Sequence, residues 1–465
     1  KKITPLFLAG RPLREFVLIL YHLLFLSNGK IFTYNKIMKI KSLLAQEILD
    51  SRGYPTIECV TTLEDGSTGW AAVPSGASTG KYEAVELRDN DPKRFGGAGV
   101  LKAVENVNTK IQSIVAGLDA EDQNKLDKTM IELDGTENKA NLGANAILSV
   151  SLSAARAQAT SEKKPLYQYL SKFNPDFKGV YTMPLTMMNV LNGGKHGNWA
   201  SDIQEYMIFP VGAKNVQESV RMGAEVYQAL KSVLKSKSYA IAVGDEGGYA
   251  PQFKSNEEPF QILMEAIQKA GYVPGRDISL GIDGAASEFF KDNKYNLKKE
   301  GLVLSTDEFV EFYLNLWKKY PIVSMEDIFD QDDWEGFKKL YDKTEGKMQV
   351  MGDDLFVTNI KRLQKGIDEK TCNSILIKLN QIGTLTETVD AVLMARKAGM
   401  TAIVSHRSAE TEDAFMADFV VAMGTGQIKT GAPARGERTA KYNQLMRIER
   451  ELGNKAQFAK FPFNK

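Results

Sequence analysis

Cysteine is nearly absent: Cys59 and Cys372 are the only two in 465 residues, too few for a disulfide framework. A reducing cytoplasm fits, with a surface or secreted fraction left open, and each thiol reads as a small buried apolar residue. Histidine is also scarce, at three. A zinc site built on nitrogen and sulfur is therefore disfavoured. The apolar run Phe16–Leu26 reaches only eleven residues, too short to span a bilayer, so stable membrane insertion is not expected. Excess charge is missing as well. The net charge is +1, and residues 1–37 carry six Lys/Arg against Glu15, a local +5 that leaves −4 for the rest. The main body thus offers no general surface for nucleic acid, and any phosphate it binds must be held by a few placed cations.

What is present is ordinary for a globular chain: 43% hydrophobic and 25% charged residues. The length predicts two domains after an N-terminal extension. The extension, 1–37, places Lys1, Lys2, Arg11 and Arg14 before its apolar run, as a signal peptide does, but lacks the small-residue cleavage pattern. It reads either as a segment outside the fold, upstream of a start at Met38, or as a membrane-associating or packing element.

From 38 to 175 the pattern is that of a small α+β unit. Strands are expected from Met38, over Thr56–Leu63 and over Trp70–Val73, with turns at Ser51–Pro55 and Glu64–Gly66. Helices are expected around Lys102–Val115, Glu121–Leu133 and Ala144–Thr160, the last rich in Ala and Ser for close packing. Pro74-Ser-Gly-Ala-Ser-Thr-Gly80 supplies two glycines and three hydroxyls. It is either a plain loop or a lid whose hydroxyls, Ser78 foremost, reach a phosphate or metal.

From 180 to the end the chain repeats one layout. Short apolar runs stop on a chemically able residue at Asp283, Glu326, Asp353, Lys378 and His406, with Lys429 following. Steps of 43, 27, 25, 28 and 23 mostly suit one strand plus one helix, and the 43 leaves room for an insertion. A doubly wound sheet shares this periodicity. The number of polar strand ends favours a (β/α)8 barrel, which brings all of them to one mouth.

Asp283, Glu326 and Asp353 are hard oxygen ligands suited to Mg²⁺; alternatively each caps the helix after its strand. Glu326-Asp327 and Asp353-Asp354 are doublets whose second member is the better cap. Lys378 at a buried strand end must be paired or lose its proton. Asp245-Glu246, placed on an expected strand end after Ile241, is either a carboxylate pair with separated pKa values or a turn cap with a solvated neighbour. His196 follows a glycine turn and is either structural or part of the site. Gln204 and Glu205 open a β-rich run. Arg407, Ser408 and Lys429 bring cations and a hydroxyl suited to phosphate or carboxylate. Together these groups suit proton abstraction next to a carboxylate, where one or two Mg²⁺ stabilise the dianion and lower the pKa of a lysine base.

Asp50-Ser-Arg-Gly53, Val73–Gly80, Gly244-Asp-Glu-Gly-Gly248, Ile377–Thr384, Ser405-His-Arg-Ser408 and Gln427–Arg435 stand together as one family writes them. From Met38 onward the chain resembles the enolase family in its bacterial form. The resemblance implies an eight-stranded barrel with an α+β cap domain and reversible dehydration of 2-phosphoglycerate to phosphoenolpyruvate, a step of glycolysis. It implies Lys378 as base, Glu246 as the acid helping hydroxide leave, and two Mg²⁺, one on Asp283, Glu326 and Asp353 and one on Ser78 and the substrate phosphate. Arg407, Ser408 and Lys429 would hold phosphate and carboxylate, with His196, Gln204 and Glu205 on the leaving-group side. A homodimer is implied too. The family's alternatives are a sugar-acid dehydratase or muconate-type isomerase, or a non-catalytic surface-binding protein. Tyr54, Ile328 and Ala409 depart from the family's usual Asn, Pro and Gly.

Overall fold

The computed structural model describes residues 37–76 and 80–463. The expectations for residues 1–36 and for Ser78 lie outside the described residues. Strands β1 (Ile40–Leu49), β2 (Pro55–Leu63) and β3 (Thr68–Ala72) form an antiparallel meander in that order. Helix α1 (Gln123–Asp134) starts at the side-chain cap of Asp122. Helix α2 (Ala144–Ser161) is buried on almost every face and lies across β2 and β3. Its small residues allow this: a Cβ on Gly69 would stand 2.1 Å from the Ala157 backbone nitrogen, so only glycine admits the helix so close.

The rest is a closed eight-stranded barrel. In chain order its strands are β4 (Leu185–Asn192), β5 (Glu205–Phe209), β6 (Ser279–Asp283), β7 (Ile322–Glu326), β8 (Gln349–Gly352), β9 (Ser374–Ile377), β10 (Thr401–Ser405) and β11 (Gln427–Lys429). One strand departs from the regular (β/α) repeat. β5 runs antiparallel to both neighbours, Asn192 pairing with Glu205 and Glu205 with Asp283. The connection 193–204 holds a single turn of 3₁₀ helix, too little for the crossover helix that a parallel return needs. The consequence is functional. An antiparallel strand brings its first residue, Glu205, to the mouth where its neighbours bring their last.

Two helices, α3 (Val216–Ser236) and α4 (Glu258–Lys269), then lead to β6. The run from Ile241 forms no strand. All eight barrel strands are already paired on both sides, so the segment makes only isolated bridges, Tyr249 N–H donating to Val190 O at 2.9 Å. The insertion expected after Asp283 is a three-stranded ribbon between Phe290 and Leu304, fixed by Tyr295, whose ring stacks on Phe309 at 4.4 Å. Helices α5 (Thr306–Lys319), α6 (Trp334–Thr344), α7 (Ile360–Glu369) and α8 (Leu385–Lys397) are capped by Ser305, Asp333, Asn359 and Thr384. Helices α9 (Phe415–Met423) and α10 (Gly436–Leu452) complete the chain's outer layer. Among the described residues no helix is long and apolar enough to cross a membrane.

Inside the barrel, alternation along each strand stacks residues in layers. Met187, Met207, Met351, Leu376 and Ile403 belong to one buried apolar cluster. It is continued by Phe209, against which Phe461 of the C-terminal segment packs edge-on at 5.8 Å. One step further along the strands, toward their mouth ends, the inward positions switch to Glu205, Asp283, Glu326, Asp353, Lys378 and Lys429. The apolar plug excludes water from below, so these charges must be satisfied by each other or by what enters from the mouth.

Candidate active site

The three strand-end acids are not helix caps, since the helices after them use Ser305, Asp333 and Asn359. Glu326 pairs in register with Asp283, and Met351, two residues before Asp353, pairs with Glu326. All three carboxylates are at least 94% buried, Glu326 completely. Burial pushes Glu326 well above the usual carboxylate range, Lys429 works against this, and Asp283 and Asp353 add to it. Lys429 Nζ lies 2.8 Å from Glu326 Oε2, 2.9 Å from Glu205 Oε2 and 3.6 Å from Asp283 Oδ2. Lys378 Nζ bonds to Asp353 Oδ2. Burial pulls Lys378 down, but Asp353 outweighs it and the ammonium ends above its ordinary value.

Among the described residues, two sets of three ligand atoms lie within 4.8 Å of one another: His196, Glu205 and Glu246, and Asp327, Asp353 and Asp354. The trio Asp283, Glu326 and Asp353 is not one of them; its carboxylates face the ammonium groups of Lys378 and Lys429. The donors still fit a hard divalent cation, being oxygen-only, buried and mutually repelling. The doublets' second members are not the helix caps expected of them, because Asp333 and Asn359 fill those positions. Asp327, held at a φ of 41°, accepts the backbone N–H of Asp353 at 2.8 Å and of Asp354 at 2.6 Å. It therefore fixes where Asp353 points. Gln381 Nε2 steadies the other side of Asp353, donating to Oδ1 at 2.8 Å.

Strand order places Lys378, after β9, across the barrel from Glu205 on β5. On that far side Glu246 gathers four partners. Asn189 donates to Oε2 at 2.9 Å and Ser408 to Oε1 at 3.0 Å, while His406 Nε2 and His196 Nδ1 stand 3.4 and 3.5 Å away. Glu246 sits on a loop, not a strand end, and the turn after it needs the φ of 87° that Gly247 supplies. Its carboxylate partner is Glu205 rather than the adjacent Asp245. His196 Nδ1 lies 3.2 Å from Glu205 Oε1, and Ser408 Oγ 2.9 Å from His196 Nε2. Burial would lower His196, yet Glu246 and Glu205 raise it. Burial and the Glu246 charge push Glu205 up. Burial also pushes Glu246 up, but His406, His196 and Arg438 outweigh it and hold the group well below the usual range. His406 is itself pushed down to about 4, chiefly by burial.

Arg407 is 97% buried and donates to Glu83 Oε2 at 2.8 Å and Asn380 Oδ1 at 2.9 Å. Glu83 belongs to the strap 80–86 that follows the Pro74–Gly80 loop. The strap docks on the barrel: Ala84 N–H donates to Gln381 O at 2.8 Å, Tyr82 Oη to Asp332 at 2.9 Å, and Arg362 covers the Tyr82 ring at 3.8 Å. On the near side, Ser75 and Ala409 exchange backbone bonds of 2.8 and 3.1 Å. Ala409 needs no left-handed φ there, Ile328 is fully buried, and Tyr54 lies under Arg52 at 5.9 Å. Gln204 Nε2 donates to Asp283 Oδ2 at 3.3 Å.

Sequence reasoning passed over Glu83, Asn189, Asn380, Gln381 and Arg438 and took Asp327 for a cap. Of those passed over, Asn189 left a signal, as the one amide inside the apolar run Leu185–Leu191. A family model described as the enolase N-terminal domain matches residues 40–170. A second, described as the enolase C-terminal TIM barrel domain, matches residues 180–465. Acidic groups at the mouth of that barrel accord with divalent-metal binding, and the two matches together place this chain in the enolase superfamily, whose dehydratases share this pairing of cap and barrel.

Proposed function

We propose that the chain catalyses reversible Mg²⁺-dependent dehydration of 2-phosphoglycerate to phosphoenolpyruvate. The observation that carries this is Lys378 standing across the mouth from the group Glu205, His196 and Glu246. A proton and a hydroxide leaving opposite faces of a three-carbon acid need that separation. Lys378 Nζ takes the proton from C2, and the electron pair moves into the carboxylate as a dianion. The dianion then expels the C3 hydroxyl, which takes a proton from the Glu246 side and departs as water. Burial and the Glu246 charge raise Glu205, and Glu246 and Glu205 raise His196 against burial, the direction that favours a proton on that side. Arg407, Ser408 and Lys429 orient phosphate and carboxylate, with Gln204 beside them. Asp283, Glu326 and Asp353 would hold one Mg²⁺, and Ser78 with the substrate phosphate a second. When bound, the divalent ions supply positive charge that stabilises the dianion and offsets the Asp353 charge now raising Lys378.

Phosphoenolpyruvate formation from 2-phosphoglycerate, followed by ultraviolet absorbance, tests the reading. Turnover with Mg²⁺ that stops in excess chelator is expected. No turnover with Mg²⁺ would sink the reaction, and full turnover in chelator would sink the metal assignment. Asp327→Asn turns one acceptor into a donor that faces a backbone N–H. Mg²⁺ affinity by titration calorimetry should fall about 10–100-fold, as for other residues that orient a ligand. Unchanged affinity would show that Asp353 needs no such support.

A further inference from the structure

Arg438, in the first turn of α10, is completely buried, and a buried guanidinium is costly unless its donors are met. It bonds to His406 Nδ1 and Arg407 O, both at 2.6 Å, to Ser408 O, and to Asp245 O at 3.2 Å, with Glu437 Oε1 3.5 Å from Nε. One side chain thereby ties the loop before Glu246 to the loop that carries Arg407 and Ser408.

We propose that Arg438 is a positioning residue that locks His406 as the Nε2–H tautomer, a neutral donor aimed at Glu246 and the mouth. Arginine has donors only, so the Nδ1 it meets must accept, and the ring proton is left on Nε2. That nitrogen is buried, makes no hydrogen bond among the described residues, and stands 3.4 Å from Glu246 Oε2. The groups facing the ring are Glu246, Arg438, Lys429 and Glu410; burial is the main cause of its lowered pKa, Arg438 and Lys429 act the same way, and Glu246 opposes. The effect on turnover rests on the proposed dehydration; the tautomer does not.

Histidine scarcity makes the test direct, because the full chain holds three imidazoles. Long-range ¹H–¹⁵N spectra of the wild type should show His406 protonated on Nε2 alone between pH 6 and 8. Arg438→Lys keeps the charge but lacks the fork that meets a ring nitrogen and three carbonyls together. It should mix the tautomers or restore titration near neutrality, and lower kcat about 10–100-fold with a smaller change in KM. A wild-type His406 protonated on Nδ1 or on both nitrogens at pH 7 overturns the proposal. So does a Lys variant whose spectrum is unchanged, whatever its kcat. If the Lys variant does not fold, the wild-type spectrum alone decides. A wild type with the stated tautomer but no phosphoenolpyruvate formation would remove the dehydration reading and leave the positioning role standing.

Discussion

Lys378→Ala should lower dehydration by roughly 10²–10⁴-fold, the usual contribution of a placed proton acceptor. The same change has a second signature. The Lys378–Asp353 pair is largely buried, at 15% and 8% side-chain exposure, and removing one member of such a pair costs about 3–5 kcal/mol. The sign follows from the direction of the shift. Lys378 is raised in the folded chain, so its contribution is complete below the unfolded lysine value and fades only as pH passes the folded one. At neutral pH the loss is therefore full. The variant should melt lower without divalent ions and recover with Mg²⁺, because a cation on Asp353 replaces the missing ammonium. A variant that melts like wild type in chelator would show that the pair contributes nothing.

Glu246→Gln should stop dehydration to a similar extent while leaving proton abstraction at C2 intact. Glutamine keeps the shape, and its oxygen still accepts from Asn189 or Ser408, but it has no negative charge to favour a proton on His196 beside the departing hydroxyl. His196 should titrate lower in this variant, since the Glu246 charge is the main influence raising it against burial. Following solvent exchange at C2 beside product formation separates the two steps. Loss of both together would mean that Glu246 serves binding rather than departure of the hydroxyl.

The barrel was legible because its signal is local. Each short apolar run ends on a polar residue, and strand alternation turns Asp353 and Lys378 inward along with the apolar Met351 and Leu376 two positions earlier. The antiparallel β5 was not legible, since nothing in Glu205–Phe209 encodes direction; the short connection before it decides that. The acid pair was misread for the same reason. Asp245 and Glu246 are adjacent in sequence, whereas the partner that matters, Glu205, arrives from another element. Glu83 and Arg438 look like solvated charges on a strap and a helix, and only tertiary packing buries them. Lys378 was placed at the mouth by the strand pattern, but its pKa direction depends on which charge lies nearest, which spacing cannot supply.

Central to the account is removal of the C2 proton by Lys378. The most direct measurement is loss of deuterium to water from 2-phosphoglycerate labelled at C2, with Mg²⁺ present, in wild type and in Lys378→Ala. Rapid loss in wild type and almost none in the variant is the predicted result. Exchange at the wild-type rate in Lys378→Ala would assign the proton to another group and contradict the account.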